Sequence, residues 1–332
     1  MSKERPTMVD VANLAGVTQP TVSYVINGTA NISDEVKERV NHAIKELNYK
    51  PNYLAIALKT NRSRTIGIII PDITNTYYAV MVSMIEKLLI KEGYTIIINS
   101  TDYNKTMEEN ALKHLLSHNV EGVIITYQFS NQRCWDYLRD SGKSAVVLEG
   151  GSKCGEFACI NTDNYFGGYS ATEALLKQGK KKIAYVSQAS EIEALADRCQ
   201  GYKDAMRDYG RMGDLLVYHS SGPGDKWKGG AAVGKKIRDA DIDGVVVSSD
   251  VIAVGILKTI LMSGIKVPQD ISIIGYDDIP LAELFVPALS TVAQPLEEMC
   301  RLTVEKLLQL LAGEPVENSL IKPRLILRET TT

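Results

Sequence analysis

The chain has 332 residues, 45% hydrophobic and 23% charged, with a formal net charge of −3; this is the balance of a folded globular protein and excludes a disordered or collagen-like one. No uncharged apolar run approaches the roughly 20 residues that span a bilayer, and no apolar run follows Met1-Ser2-Lys3-Glu4-Arg5-Pro6, so a cytoplasmic protein without membrane association is expected. Cys134, Cys154, Cys159, Cys199 and Cys300 are scattered, with no Cys-x-x-Cys pair, which argues against a disulfide framework or a zinc site.

Residues 1–62 carry eight Lys/Arg against six Asp/Glu, and the remainder 29 against 34. A slightly basic head on an acidic body is compatible with nucleic-acid contact at one end. Within that head, residues 7–47 show three short helical patterns, broken by Gly16-Val17-Thr18 and Asn27-Gly28-Thr29-Ala30-Asn31. Thr7 is placed to cap the first helix with Asp10 completing a capping box, and Gly16 to end it in a tight turn. Thr18 is placed to cap the second helix, where Pro20 is tolerated because first-turn N–H groups have no intrahelical partner. Val11, Val17, Val22 and Val25 supply a small core, with Ala12 leaving room for a close helix crossing. Together these features predict a helix-turn-helix whose second helix enters the major groove. Thr18, Gln19, Pro20, Thr21, Ser23 and Tyr24 lie on its DNA-facing side; Gln pairs well with adenine, and Thr and Ser with phosphate or base. A third helix starts at Ser33 and puts Val36, Val40, Ile44 and Leu47 on one face.

Residues 48–65 read as a connector. Pro51 to Lys59 has about two turns of helical pattern, fewer than the roughly 12–15 residues an isolated helix needs in water. Its folding is therefore expected to depend on DNA and a dimer mate, with Leu58 a candidate wedge between base steps of the minor groove. From Ile66 onward, short β-rich runs alternate with amphipathic helical runs: Ile66–Ile70, Tyr94–Asn99, Val123–Thr126, Ala145–Leu148, Ile183–Ser187, Leu215–Tyr218, Val245–Ser248 and Ile271–Tyr276, separated by stretches such as Ala79–Glu92 and Asp250–Ser263. Alternation of this kind predicts an α/β body of doubly wound parallel sheets. Its length calls for two lobes, with a ligand in the crevice at the carboxyl ends of the strands.

The chain resembles the lactose/galactose repressor (LacI/GalR) family along essentially its whole length. The resemblance is carried by Val9-Asp10-Val11-Ala12, Ala15-Gly16-Val17, Thr21-Val22-Ser23, Val25-Ile26-Asn27-Gly28 and Leu47-Asn48-Tyr49-Lys50-Pro51-Asn52, with Ala55 and Leu58. It continues at Ile66-Gly67-Ile68, Glu121-Gly122-Val123-Ile124, Asp163-Asn164, Gly167-Gly168, Arg198-x-x-Gly201, Ser249-Asp250, Ile274-Gly275-Tyr276-Asp277-Asp278 and Thr291-Val292-x-Gln294-Pro295. It implies an all-α DNA-binding domain at 1–50, a hinge helix and linker at 51–65, and a periplasmic-binding-protein-like sensor and dimerisation domain at 66–332. The N-lobe is expected at about 66–161 plus 291–318, and the C-lobe at about 162–290 plus 319–332.

The implied function is that of a transcriptional repressor, bound as a homodimer to a palindromic operator and controlled by a small-molecule effector, a sugar or sugar derivative. The DNA-contacting set so implied is Thr7, Thr18, Gln19, Pro20, Thr21, Ser23, Tyr24, Asn27, Asn52, Ala55, Leu58 and Lys59, with Leu58 intercalating at the operator centre. The effector set is Asp72, Tyr77, Tyr78, Tyr127, Asp163, Arg198, Trp227, Asp250 and Asp277. Carboxylates and arginine hydrogen-bond polyol hydroxyls, and aromatic faces stack on sugar or base rings. Tyr24 stands where many relatives carry Arg, so the half-site sequence does not carry over. After Arg328-Glu329 there is no heptad tail, so a dimer is expected and not a coiled-coil tetramer.

No catalytic residues, metal or cofactor are expected. His114 and His118 at i, i+4 lack a third ligand, and no P-loop, nucleophile-elbow or His-Glu-x-x-His motif occurs. The competing readings are a sugar-binding transport protein, a regulator answering to a nucleobase, and a sensor that docks a protein co-repressor on the helix Leu296–Leu311.

Overall fold

The structure, a computed structural model, describes residues 6–27, 30–49, 63–188, 192–220 and 226–331. The chain divides into two compact units between Ser63 and Arg64, inside the stretch read as linker.

The small unit holds helices α1 (Met8–Ala15), α2 (Gln19–Asn27) and α3 (Asp34–Glu46). The backbone N–H of Asp10 donates to Thr7 Oγ1 at 3.3 Å, and the Thr7 N–H donates back to the Asp10 carboxylate at 2.7 Å. This is the predicted capping box, and its hydrogen bonds lower the Asp10 pKa. Gly16 turns the chain at φ 63°, a region costly for residues with a Cβ. The Thr21 N–H reaches Thr18 Oγ1 at 3.4 Å, so α2 is capped where expected. Val11, Ala12, Ala15, Val22, Val40 and Ala43 form the core, flanked by Val17, Val25, Val36, Ile44 and Leu47. Two features differ from the sequence reading. Tyr49, in the connector by its pattern but inside the 1–50 domain that the resemblance implies, packs into this core. Arg39 donates to the carbonyls of Ala15 at 2.6 Å and Gly16 at 3.0 Å, so α3 satisfies the carbonyls that α1 leaves open at its end.

The large unit is built on two six-stranded sheets. The N-lobe sheet contains β1 (Thr65–Ile70), β2 (Thr95–Ser100), β3 (Gly122–Ile125), β4 (Ser144–Leu148), β5 (Ala158–Thr162) and β11 (Ser319–Ile321), in the order β11-β5-β4-β3-β1-β2. The C-lobe sheet contains β6 (Ile183–Gln188), β7 (Leu216–Ser220), β8 (Gly244–Val247), β9 (Ser272–Asp277), β10 (Ser290–Ala293) and β12 (Arg324–Ile326), in the order β12-β10-β9-β8-β6-β7. All pairings are parallel except that β12 runs antiparallel to β10. Helices α4 (Thr76–Lys91), α5 (Lys105–Ser117), α6 (Gln132–Asp140) and α12 (Leu296–Leu311) pack in the N-lobe. Helices α7 (Asn164–Lys177), α8 (Glu193–Asp208), α9 (Lys226–Arg238) and α10 (Asp250–Met262) pack in the C-lobe, and the short α11 (Pro280–Leu284) follows β9. Helices on both faces explain why β1 is an almost unbroken isoleucine run, buried from Ile66 to Ile70. The edge strand β2 is only partly covered.

The lobe boundaries need correction. The expected segments imply crossings after about residues 161, 290 and 318, whereas the chain crosses after Thr162, after Ala293 and after Ile321. Residues 290–293 pair with β9 and belong to the C-lobe; residues 319–321 pair with β5 and belong to the N-lobe. A three- or four-residue strand has too little periodicity to announce itself, and its sheet is decided by a partner far away in the chain, such as Ile160 opposite Ser319.

Candidate functional site

A cleft of about 620 Å³, open to solvent, lies in the large unit. Nearly every residue lining it follows the carboxyl end of a parallel strand. The N-lobe contributes Asn75, Tyr77 and Tyr78 after β1, Tyr103 after β2, Thr126 and Tyr127 after β3, and Glu149 after β4. From the C-lobe come Arg198 on α8, Ser248 and Ser249 after β8, Asp277 at the end of β9 and Lys226 at the start of α9, with Gln294 in the crossover after β10. This is where topology leaves strand ends and helix starts open to a ligand.

Arg198 is the hub. It is buried; its Nε donates to Asn164 Oδ1 and its Nη1 to the Ser248 carbonyl, both at 2.7 Å. The guanidinium lies 3.6 Å from the centre of the Tyr276 ring and 3.9 Å from Asp277 Oδ1. Burial works against its charge, but Tyr276, Asp277 and Glu149 outweigh that and raise its pKa. Its position depends on a close helix crossing: a Cβ on Gly168 of α7 would fall 2.0 Å from the Arg198 carbonyl oxygen, and one on Gly201 would fall 2.2 Å from the Tyr165 carbonyl oxygen. Only glycine admits that approach.

Asp277 accepts from Gln294 Nε2 at 2.8 Å. Its φ of 114° and the 54° of Asp278 are unusual for residues with side chains, and an ion pair of Asp278 with Arg328 at 2.8 Å helps to hold this turn. Burial pushes the Asp277 pKa up to about 6, with Arg198 and the Gln294 hydrogen bond opposing. Gln294 also links the lobes, its Oε1 accepting from Tyr77 Oη at 2.9 Å and Thr162 Oγ1 at 3.1 Å. Glu149 accepts from the Thr162 N–H at 2.6 Å and Asn164 Nδ2 at 2.5 Å. Across the cleft, Tyr127 is fastened by Glu108, which is fully buried and takes hydrogen bonds from Tyr127 Oη, the Ser130 N–H and hydroxyl, and the Asn131 N–H.

Five of the nine effector residues expected from the sequence therefore share one cavity: Tyr77, Tyr78, Tyr127, Arg198 and Asp277. The other four do not line it. Asp72 accepts from the N–H and hydroxyl of Thr74 in the turn after β1. Asp163 caps α7 through the Phe166 N–H at 2.9 Å. Asp250 is fully buried and bonded to Thr291 Oγ1 at 2.7 Å and the Ile279 N–H at 3.0 Å, with burial and then the charge of Asp277 raising its pKa. Trp227 is largely exposed on α9, with Lys228 and Lys258 over its ring. Strand ends need short acceptors to finish turns and start helices, so an Asp there is ambiguous between cap and ligand. The sequence reading missed Asn75, Tyr103, Thr126, Glu149, Lys226, Ser248, Ser249 and Gln294. Their common signal, a polar or aromatic side chain just after a strand, was available once the strands were placed.

In the small unit, Thr18, Gln19, Pro20 and Tyr24 are exposed and Thr21 and Ser23 half-buried, while Val22 between them is buried. Thr7 lies exposed at the start of α1. The Asn27 side chain and residues Asn52, Ala55, Leu58 and Lys59 lie outside the described residues.

Residues 7–52 match the bacterial regulatory proteins of the lacI family, and residues 172–331 match the periplasmic binding protein-like domain. The chain is 33% identical to the HTH-type transcriptional regulator RegA of Clostridium saccharobutylicum over 97% of this chain and 98% of that one. Two solved structures resemble it over nearly all of its length. One is the lac repressor dimer bound to operator and the anti-inducer ONPF, with TM-score 0.86 and 25% identity over 99% of this chain and 100% of that one. The other is the transcriptional regulator CelR–cellobiose complex, with TM-score 0.71 and 27% identity over 98% of this chain and 100% of that one. A capped helix-turn-helix joined in one chain to a two-lobed body with its cleft at the strand ends agrees with both family matches, and the protein belongs to the LacI family of DNA-binding transcriptional regulators.

Proposed function

We propose that the protein is a repressor that binds a palindromic operator as a homodimer and that a polyhydroxylated small molecule, held between the two lobes, sets its operator affinity. The observation that carries this reading is the mixed chemistry of the cleft. Arg198 and two buried serine hydroxyls offer donors, Asp277 and Glu149 offer acceptors, and Tyr77, Tyr78, Tyr103 and Tyr127 offer ring faces. Donors and acceptors in alternation suit the hydroxyls of a sugar, and tyrosine faces suit its C–H faces. The lac repressor dimer on its operator and CelR with cellobiose are relatives for which both halves of the reading are named.

On this reading Thr7, Thr18, Gln19, Pro20, Thr21, Ser23, Tyr24 and Asn27 face the operator half-site, and Asn52, Ala55, Leu58 and Lys59 contact its centre from the hinge. The cleft binds and does not catalyse, and the protein works in the cytoplasm, where its DNA target lies. Effector and operator then share one two-state equilibrium, so each must change the affinity for the other by the same factor. The test is to select a duplex from random DNA with the purified protein, identify a sugar that raises its melting point, and measure operator affinity with and without that sugar. An equal affinity at saturating sugar would sink the reading, as would failure to select any palindrome.

A further inference from the structure

Charges of both signs line the cleft. Glu149, Asp277 and Arg198 compensate one another: Glu149 takes hydrogen bonds from the Thr162 N–H and Asn164, Asp277 takes one from Gln294, and Arg198 stands 3.9 Å from Asp277. Lys226, the first residue of α9, lines the same cleft. Among the described residues it pairs with no carboxylate; its ammonium lies 3.4 Å from Tyr103 Oη and 4.8 Å from the centre of that ring.

Helices α9 and α10 run side by side with their first turns together. A Cβ on Gly230 would fall 2.2 Å from the Ile252 carbonyl oxygen, and one on Gly255 would fall 2.0 Å from that of Trp227. Both helices have 13 residues, so two helix N-termini, each carrying about half a positive charge, converge on one side of the cleft. Ser249 occupies the N-cap of α10, yet its hydroxyl makes no capping bond, although capping is what serine ordinarily does there. The hydroxyls of Ser248 and Ser249 are buried and without partners, and both residues line the cavity, with Ser248 only 1% exposed. Leaving such groups unpaired costs free energy that a bound acceptor would recover.

Resting on the reading of the cleft as the effector site, we propose that the effector is a polyol bearing an oxyanion, a phosphate or a carboxylate, seated between Lys226, Ser248 and Ser249 at the paired N-termini of α9 and α10. The hydroxyls of the ligand lie toward Arg198, Asp277 and Glu149, and Tyr78 and Tyr103, whose hydroxyls stand 3.2 Å apart, wall the space between. An anion is admitted beside Lys226 because the two carboxylates of the cleft already take hydrogen bonds from Thr162, Asn164 and Gln294.

The experiment compares matched ligands on the full-length protein: glucose, galactose, fructose and trehalose, their 6-phosphates, and glucuronate and galacturonate, each by thermal shift and then calorimetry. A phosphate or acid is expected to bind at least about tenfold tighter than its neutral parent. The ratio should shrink with added NaCl, collapse in Lys226→Met, and be partly restored in Lys226→Arg. Phosphates and acids form separate arms and tell the two oxyanions apart. A neutral parent that binds as well as its anionic forms, or a ratio unchanged in Lys226→Met with native circular dichroism, overturns the proposal while leaving a sugar-responsive cleft. Binding of no member, neutral or anionic, would fall instead on the sugar reading itself.

Discussion

Replacing Arg198 with Met keeps an apolar stem in place but removes the guanidinium stacked on Tyr276, with its charge and its hydrogen bonds. Two charge-assisted bonds at 2.7 Å are lost, each worth roughly 1.5–3 kcal/mol, and Asp277 is left buried without its cation. Breaking a buried pair in this way costs about 3–5 kcal/mol. The cost should depend on pH with a definite sign. The folded-state pKa of Asp277 is raised from 3.8 to about 6, so its favourable contribution is present below the unfolded value and lost as pH rises through the folded one. Removing Arg198 raises that pKa further and deepens the loss on the alkaline side. The penalty is therefore expected to be about 4 kcal/mol near pH 7.5 and about 2 kcal/mol near pH 5, where the carboxyl is largely neutral even in the wild type. Urea unfolding followed by tryptophan fluorescence reads this out cleanly, because both tryptophans, Trp135 and Trp227, lie in the large unit. A penalty below about 1 kcal/mol, or one equal at both pH values, would refute the assignment of Arg198 as the compensating charge of the cleft.

Gly168→Ala inserts a Cβ 2.0 Å from the Arg198 carbonyl; destabilisation by about 1–3 kcal/mol is expected, together with a weakened thermal shift by ligand, and a neutral result would mean that α7 and α8 can separate freely. Glu108→Gln replaces one of two oxygens that accept N–H and O–H groups by an NH2 group that cannot accept. A loss of about 1–3 kcal/mol is expected, with weaker ligand binding because Tyr127 is no longer fastened; unchanged melting and binding would contradict this. Gln19→Ala should cost about 1–3 kcal/mol on the selected operator and much less on a duplex altered at one half-site position. Gel-shift titration of the two duplexes checks it, and equal losses on both would make Gln19 a backbone contact.

The helix-turn-helix was legible because its determinants are local. Thr7 with Asp10, Gly16, and Thr18 with Thr21 act within four residues of one another, and the valine spacing follows from helix geometry alone. The alternation of strand and helix was legible for the same reason: parallel strands buried on both faces must be apolar runs, and β1 is one. That much the order of residues determines by itself.

Long-range pairing decided the rest. β10 and β11 are too short to declare a sheet, and they join the lobes opposite to those expected because their partners, β9 and β5, offer open edges there. The cleft is assembled from chain ends that meet only in the fold: Tyr77 and Gln294, bonded at 2.9 Å, are 217 residues apart. Asp163, Asp250 and Asp277 look alike in sequence, each an Asp near a strand end. Asp163 is taken up locally by the start of α7, tertiary packing made Asp250 a buried brace, and only Asp277 stands beside Arg198 on the cleft, because whether a carboxylate near a strand end is kept for a ligand depends on which groups pack against it.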